Sequence, residues 1–242
     1  MSEIRILPAG DLSLVVEFGN EISMVCNNKV RQLNQSLREK KITGIVDTVP
    51  TFRSLLVYYD PSKIKYKKLC KYIKSFSVEN GDAKAKTKRI IEIPVCYGGQ
   101  YGEDLVDVAR HVGMSETEVI TIHSGVDYLI YMLGFLPGFP YLGGLDKRLE
   151  CPRLPNPRTT IPAGSVGIGG EQTGVYPISS PGGWRLIGRT PLKLYDSERK
   201  DPTFYQAGDY IHFRPINENE FVDIEQLIQE GKYQCKIIME GD

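Results

Sequence analysis

The chain has 242 residues, with 30 Lys or Arg and 30 Asp or Glu, so its formal net charge at neutral pH is zero. A balanced charge creates no overall field for nucleic acid or an anionic membrane, and we expect neither as a partner. No window approaches the roughly 20 apolar residues that span a bilayer. Residues 1–5 lack the apolar segment of a signal peptide, so a cytoplasmic location is predicted.

Metal binding is not indicated by the cysteines and histidines. The five cysteines are odd in number and scattered, and no two have the CxxC spacing of a zinc site. The three histidines are also far apart in the sequence. We therefore predict reduced cysteines and no metal ion.

Residues 1–80 are predicted to form a small two-layer α+β domain with the order ββαββα. Its four strands are expected at residues 4–7, 12–18, 44–49 and 53–59. The first helix is predicted over residues 22–39 by apolar residues at helical spacing, namely Val25, Val30, Leu33 and Leu37. The second helix is predicted to follow Asp60 and to run to about Phe76, with lysines on its outer face.

A lysine-rich linker is predicted over residues 81–89, because this segment has little apolar surface to bury. The second domain is expected over residues 90–242. Short strands are predicted at residues 90–95, 128–133, 165–168, 173–178, 184–187, 192–195, 210–213 and 233–239. Helices are predicted at residues 103–112, 115–123 and 220–229, the second with a capping box of Ser115 and Glu118. This spacing of short strands favours a closed or nearly closed β barrel.

Two rigid loops carry aromatic residues in the barrel domain. The first, GFLPGFPYL at residues 134–142, presents Phe135 and Phe139 among prolines and glycines, which exclude a helix. The second, SSPGGW at residues 179–184, ends in the only tryptophan, Trp184. Stiff loops with flat apolar rings on a β scaffold are typical of binding sites, although capping a core is the alternative. We expect Phe135, Phe139 and Trp184 to line one exposed pocket.

Polar candidates for the same pocket come from nearby segments. The proline-locked segment 152–158 carries Arg153 and Arg158, and Arg158 is the favoured arginine for gripping a carboxylate; a surface salt bridge is the alternative. The other candidates are substrate-binding Gln172, Ser180 and the amides of Gly182 and Gly183, and, as a general base, His123. No catalytic residue is assigned. Ser180 and His123 are the two candidates for a catalytic role, and for His123 a structural role is favoured.

The glycine-rich segment GSVGIGG at residues 164–170 resembles a nucleotide loop only superficially. Its spacing is not GxGxxG, and a strand follows it where a phosphate site needs a helix N-terminus. A tight β hairpin with glycines at positive φ is the better interpretation.

Three motifs give the chain a family resemblance. GFLPGFPYL, PRLPNPRTTIPAGSVGIGGEQTGVYP and SSPGGWRLIGRTP occur in this order, and with them the chain resembles the allophanate hydrolase subunit 1 family over essentially its whole length. The resemblance implies a small N-terminal α+β domain and a cyclophilin-like β-barrel C-terminal domain. It also implies a subunit of an ATP-dependent 5-oxoprolinase, which opens 5-oxo-L-proline to L-glutamate and is inactive when this chain is alone.

The resemblance further implies partners. One is a subunit 2 (KipA-like) protein and the other a LamB/YcsF-like subunit, with ATP used by the complex as a whole. Two other functions remain open. Some members of the family (the KipI type) inhibit autophosphorylation of a sporulation histidine kinase, which would then be a partner. Fused members act in urea or allophanate metabolism.

Overall fold

The computed structural model describes residues 4–79 and 88–240, without the side chains of residues 77–79. The chain divides into two compact units, Met1–Lys86 and Thr87–Asp242. Residues 81–87 of the predicted linker lie outside the described residues. Within residues 4–79 and 88–240, no helix is both long and apolar enough to cross a membrane.

The first unit contains a four-stranded antiparallel sheet and two helices. Its strands are β1 (Arg5–Pro8), β2 (Ser13–Glu17), β3 (Ile45–Pro50) and β4 (Ser54–Tyr59), and its helices are α1 (Met24–Lys40) and α2 (Tyr66–Glu79). The strands pair in the order β1-β2-β4-β3. Alternate residues of the central strands, such as Leu14 and Val57, share one buried cluster with Leu33 of α1 and Ile73 of α2. The helices therefore cover one face of the sheet, as the period of two in the strands requires.

The start of helix α1 differs from the sequence-based prediction. The Ser23 side chain accepts a hydrogen bond from the Cys26 amide at 3.2 Å and fixes the N-terminus of the helix. The buried face then includes Cys26, Val30, Leu33 and Leu37, whereas Val25 is 65% exposed. The prediction that Val25 is buried was wrong, because the true helical register turns it to solvent.

The second unit is built around an eight-stranded sheet. The strands of the whole unit, including two that lie outside this sheet, are β5 (Lys88–Tyr97), β6 (Asp127–Leu133), β7 (Pro140–Gly143), β8 (Arg158–Ile161), β9 (Ser165–Gly169), β10 (Gln172–Val175), β11 (Ser180–Gly182), β12 (Arg185–Arg189), β13 (Tyr210–Ile216) and β14 (Ile237–Glu240). The sheet order is β10-β9-β12-β5-β13-β6-β7, and β14 pairs with β5. The end strands β10 and β7 are also in contact, so the sheet is a nearly closed barrel. Strands β8 and β11 form a separate two-stranded sheet.

Among the described residues of this unit there are three α-helices, α3 (Leu105–Val112), α4 (Glu116–Ser124) and α5 (Glu218–Gln229), and one short 3₁₀ helix, Lys147–Leu149. The predicted capping box of α4 is confirmed, since the Ser115 side chain accepts from the Glu118 amide and the Glu118 carboxylate accepts from the Ser115 amide. Gly231, which follows α5, has a φ of 68°, as expected for a residue that ends a helix. Side chains from these helices and from the strands share one buried core.

Several boundaries in this unit differ from the prediction. Lys88 and Arg89, assigned to the linker, belong to β5, because ion pairs with Asp127 and Asp209 hold their side chains in place of apolar burial. The strand predicted at residues 192–195 is irregular chain: its leucines enter the core without strand pairing, and this burial produced the alternating pattern.

Candidate functional site

The two aromatic loops meet at a buried cluster. The Phe139 and Trp184 ring centroids are 5.7 Å apart in an edge-to-face arrangement, and Tyr176 contacts both rings at 5.4 and 6.1 Å. Phe139 is 2% exposed and Trp184 is 5% exposed. These rings therefore form a buried floor instead of the walls of an exposed pocket, because packing against one another removes more apolar surface from water.

Glycines of the β9–β10 hairpin support the tryptophan. A Cβ atom added to Gly169 would lie 2.4 Å from Cδ1 and Nε1 of the Trp184 indole, and one added to Gly174 would lie 3.0 Å from its Cζ3. The two strands pair antiparallel, and Gly170 in their turn has a φ of 67°, so the predicted hairpin is confirmed. The glycine-rich segment thus provides close approach for an indole ring.

Gln172 lies at the edge of this cluster. It opens strand β10 and pairs in register with Gly169, the residue beneath the indole of Trp184. Its side chain is half-buried. A neutral amide at this position can orient a small ligand placed over the aromatic floor.

Phe135 is the exposed member of the first loop. Its side chain is 66% exposed, and its ring meets Phe139 edge-to-face at 5.4 Å. The backbone of Phe135 has a φ of 65°, a conformation that is strained for a bulky residue. Hydrogen bonds from the Gly134 amide to the Phe139 carbonyl and from the Phe139 amide to the Leu136 carbonyl close the turn and hold this ring outward.

Arg158 is held by two carboxylates of this chain. Its Nη2 donates to Asp104 at 2.8 Å, and its Nε lies 3.2 Å from Glu103. Asp104 is buried and also accepts from the Leu186 amide at 2.7 Å. The hydrogen bond to Asp104 raises the pKa of the Arg158 guanidinium. The Arg158 guanidinium thus faces two carboxylates of this chain, whereas its buried Nη1 has no hydrogen-bond partner among the described residues.

Ser180, Gly182 and Gly183 lie beside the same cluster. The Ser180 hydroxyl is buried and has no hydrogen-bond partner among the described residues. A Cβ atom added to Gly182 would lie 2.7 Å from the Tyr176 hydroxyl, so only glycine allows this approach. The Gly183 carbonyl accepts from the Leu154 amide at 2.7 Å and ties the proline-locked segment to this turn. The unpaired hydroxyl of Ser180 is thus a buried polar group that still requires a partner.

His123 is a structural residue. It is fully buried, its Nδ1 lies 2.8 Å from the Tyr97 hydroxyl, and its Nε2 lies 2.8 Å from the Thr173 hydroxyl. Thr173 donates to the Gly167 carbonyl at 3.0 Å, so it accepts from Nε2–H, and Nδ1 accepts from Tyr97. Burial lowers the pKa of His123 from 6.5 to about 3. The candidate role as general base is therefore not supported, because both ring nitrogens already make hydrogen bonds within the chain.

Two residues of the cluster were missed by sequence reasoning. Asp104 anchors Arg158, and it lies within the helix predicted over residues 103–112, where no sequence pattern indicated this contact. Tyr176 joins the aromatic floor, and its place in a predicted strand did not distinguish it from other core residues. Within the described residues, no three His, Cys, Asp or Glu side chains are grouped as around a metal ion.

Comparisons with known proteins identify relatives over most of the chain. Residues 4–205 match the family described as carboxyltransferase domain, subdomain C and D. The chain is 45% identical over 223 residues to the 5-oxoprolinase B subunit of Bacillus subtilis strain 168, which covers 88% of this chain and 92% of that protein. It is 39% identical over 219 residues to the protein of the same name in Escherichia coli O157:H7, covering 90% of this chain and 99% of that protein.

A solved structure supports the same fold. The urea carboxylase of Kluyveromyces lactis superposes on 98% of this chain with a TM-score of 0.79, and this chain spans 24% of that longer protein. Their identity of 23% shows a shared carboxyltransferase-like fold alone. Taken with the two close relatives, the chain belongs to the carboxyltransferase subdomain C and D family, and within it to the family of 5-oxoprolinase B subunits.

Proposed function

We propose that this chain is a subunit of an ATP-dependent 5-oxoprolinase, which converts 5-oxo-L-proline to L-glutamate together with partner subunits. The observation that carries the proposal is the 45% identity to the Bacillus subtilis B subunit across 92% of that protein. Such coverage means that the two chains correspond over nearly all of that relative, instead of sharing one common module. The Escherichia coli relative, covered over 99% of its length, supports the same assignment.

The reaction needs activation of a stable amide. A lactam carbonyl resists attack by water, and transfer of a phosphoryl group from ATP to the amide oxygen would turn that oxygen into a better leaving group. Water can then add to the carbon and the C–N bond breaks, which leaves γ-glutamyl phosphate. A second water hydrolyses this acyl phosphate to L-glutamate and phosphate, and ADP is the other product. In this proposal ATP is used by the complex as a whole. The partners proposed are a subunit 2 (KipA-like) protein and a LamB/YcsF-like subunit.

The candidate site contributes a surface above the aromatic floor. Phe135 would cover one side of the substrate ring, Gln172 would orient it, and the turn at Ser180, Gly182 and Gly183 would face the lactam carbonyl. Support comes from the unpaired hydroxyl of Ser180 and from the outward ring of Phe135. Unsatisfied donors and exposed, strained side chains are common where a protein meets a ligand. In this arrangement Arg158 and its two carboxylates fix the backbone of the site.

Reconstitution tests the proposal. The chain is mixed with its two candidate partners, 5-oxoproline and ATP, and glutamate release is measured. We expect turnover by the wild type and a loss of about tenfold in kcat/KM for Phe135→Ala, the scale of one lost apolar contact. The matched control is Val222→Ala, a similarly exposed apolar residue on α5, which should behave as the wild type. Failure of the wild-type mixture to form glutamate would refute the proposed function.

A further inference from the structure

Arg153 and Arg158 are the two arginines of the proline-locked segment, and they differ in the charges that surround their guanidinium groups. Arg158 faces the carboxylates of Asp104 and Glu103 at 2.8 and 3.2 Å. A substrate carboxylate at this guanidinium would be repelled by these two negative charges, because only one positive charge opposes them. Arg158 is therefore a weaker receptor for a carboxylate than an arginine without acidic neighbours, although its buried Nη1 has no hydrogen-bond partner among the described residues.

Arg153 is the alternative cation, and its backbone is fixed on both sides. The Leu154 amide donates to the Gly183 carbonyl at 2.7 Å, and Arg185 Nε donates to the Pro152 carbonyl at 3.0 Å. The two bonds bind the residues before and after Arg153 to the turn that carries Trp184 and to strand β12. A fixed backbone lowers the entropy lost when the side chain takes up a ligand.

The guanidinium of Arg153 lies above the tryptophan of the cluster. Its central carbon is 5.9 Å from the centre of the Trp184 ring, which is within the range of a cation–π contact. Such a contact uses the ring face and leaves N–H groups of the guanidinium available to an acceptor. Arg153 is exposed and, within residues 4–79 and 88–240, forms no ion pair.

The surroundings of Arg153 are aromatic hydroxyls and rings. Burial raises the pKa of Tyr141 and of Tyr176, and the charge of Arg153 opposes the shift at both phenols. Its positive charge therefore acts at the edge of the aromatic floor. A ligand carboxylate matches the charge of this exposed guanidinium, which lies at the edge of the apolar cluster.

We infer that Arg153, held over Trp184, binds the carboxylate of 5-oxoproline and sets the specificity of the site for an acidic lactam. The inference rests on the proposed function. It predicts that Arg153 discriminates between 5-oxoproline and its uncharged carboxamide, whereas Arg158 serves to hold the backbone. A carboxylate paired with a guanidinium in a partly apolar setting gains a charge-assisted hydrogen bond that the carboxamide lacks.

The experiment uses the assembled complex and this pair of substrates. We expect Arg153→Gln to raise the KM for 5-oxoproline by about 10- to 100-fold, the equivalent of one charge-assisted contact, with little change in kcat. The KM for the carboxamide should stay as in the wild type. Arg153→Lys keeps the charge and should recover part of the loss. Arg110→Gln, at an exposed arginine of α3 that pairs with Asp107, is the matched control and should change neither KM.

The emission of Trp184, the only tryptophan, checks that each variant keeps the aromatic cluster intact. If the wild-type complex forms glutamate while Arg153→Gln keeps both the wild-type KM and the preference for the acid, the inference is overturned and the proposed function stands. If the wild-type complex forms no glutamate, the proposed function is overturned and the inference with it.

Discussion

His123 illustrates a residue type that suggests catalysis and instead supports packing. Its two nitrogens join a chain of hydrogen bonds from Tyr97 through the imidazole to Thr173 and the Gly167 carbonyl. Each donor in this chain meets one acceptor only if the imidazole is neutral. A proton added to Nδ1 would remove the acceptor that the Tyr97 hydroxyl needs. Both burial and the loss of this hydrogen bond therefore disfavour the charged imidazole.

The neutral state of His123 predicts a pH dependence of stability. The folded-state pKa of about 3 lies below the ordinary value of 6.5, so below that value the unfolded chain binds a proton that the folded chain does not. Stability is therefore complete above about pH 6.5 and falls as the pH drops towards 3, by up to about 1.4 kcal/mol per unit. Denaturant unfolding at a series of pH values measures this slope.

The control for that measurement is His123→Gln, which can still hydrogen-bond and does not titrate in this range. We expect a shallower slope for this variant, because it lacks the imidazole that is protonated in the unfolded chain and neutral in the folded chain. Equal slopes for the wild type and His123→Gln would show that other groups set the acid sensitivity.

The arginine pair shows why residue types alone do not locate a binding site. Arg153 and Arg158 share one proline-locked segment, and the spacing in the sequence cannot distinguish them. The fold separates them by bringing Asp104, more than fifty positions earlier in the chain, to Arg158 and leaving Arg153 over Trp184. A contact between residues so far apart in the sequence leaves no local pattern from which it could be predicted.

The β9–β10 hairpin carries a prediction of its own. Gly169→Ala places a methyl group where the indole of Trp184 now lies, at 2.4 Å from two of its atoms. We expect a loss of about 1–3 kcal/mol in the free energy of unfolding, the usual range for overpacking a core. The emission maximum should move to longer wavelength, because a displaced indole meets more water. Denaturant unfolding followed by tryptophan fluorescence measures both quantities.

Gly134→Ala is the matched control for the hairpin prediction. The nearest atom to its added Cβ is 3.9 Å away, on Tyr141, which is an ordinary contact. This variant should unfold within about 0.5 kcal/mol of the wild type, as surface substitutions do. If Gly169→Ala were as stable as Gly134→Ala, the indole would have room to move and would not depend on the glycine.

Elements with a strong local pattern are predicted well, and those made by distant pairing are not. The capping box of α4 depends on Ser115 and Glu118, which are three positions apart, and the β9–β10 hairpin depends on a two-residue turn. Strands β8 and β11 pair with each other from within proline- and glycine-rich segments that the sequence predicts as loops. Their short length gives no period to detect, and only the partner strand makes them extended.

Strand β7 is another strand in a segment that the sequence predicts as a loop, the aromatic loop at residues 134–142. Pro140 is its first residue, and the strand pairs only with β6 at the end of the sheet order. Proline is tolerated at the start of an edge strand, where its missing N–H costs no ladder bond. The prolines of the motif correctly argue against a helix and a central strand, but they do not separate a loop from the short edge strand that forms here.

The match to the relatives extends along most of the chain. The Bacillus subtilis and Escherichia coli proteins are covered over 92% and 99% of their lengths, and both carry the name of a subunit. A relative covered so fully contains no large extra segment that could supply the rest of the activity. The remaining parts of the activity are therefore expected in other polypeptides, and the surface that meets them should be retained between relatives.

Exchange between complexes tests that expectation. The chain is combined with the remaining subunits of the Bacillus subtilis 5-oxoprolinase in place of the native B subunit, to which it is 45% identical. We expect glutamate release within about tenfold of the native complex, because a factor of ten corresponds to only about 1.4 kcal/mol, less than one interface hot spot contributes. The chain assayed alone with ATP and 5-oxoproline should release none. Activity of the chain alone would show that the other subunits are not needed, whereas an inactive hybrid would show that the contact surface has diverged.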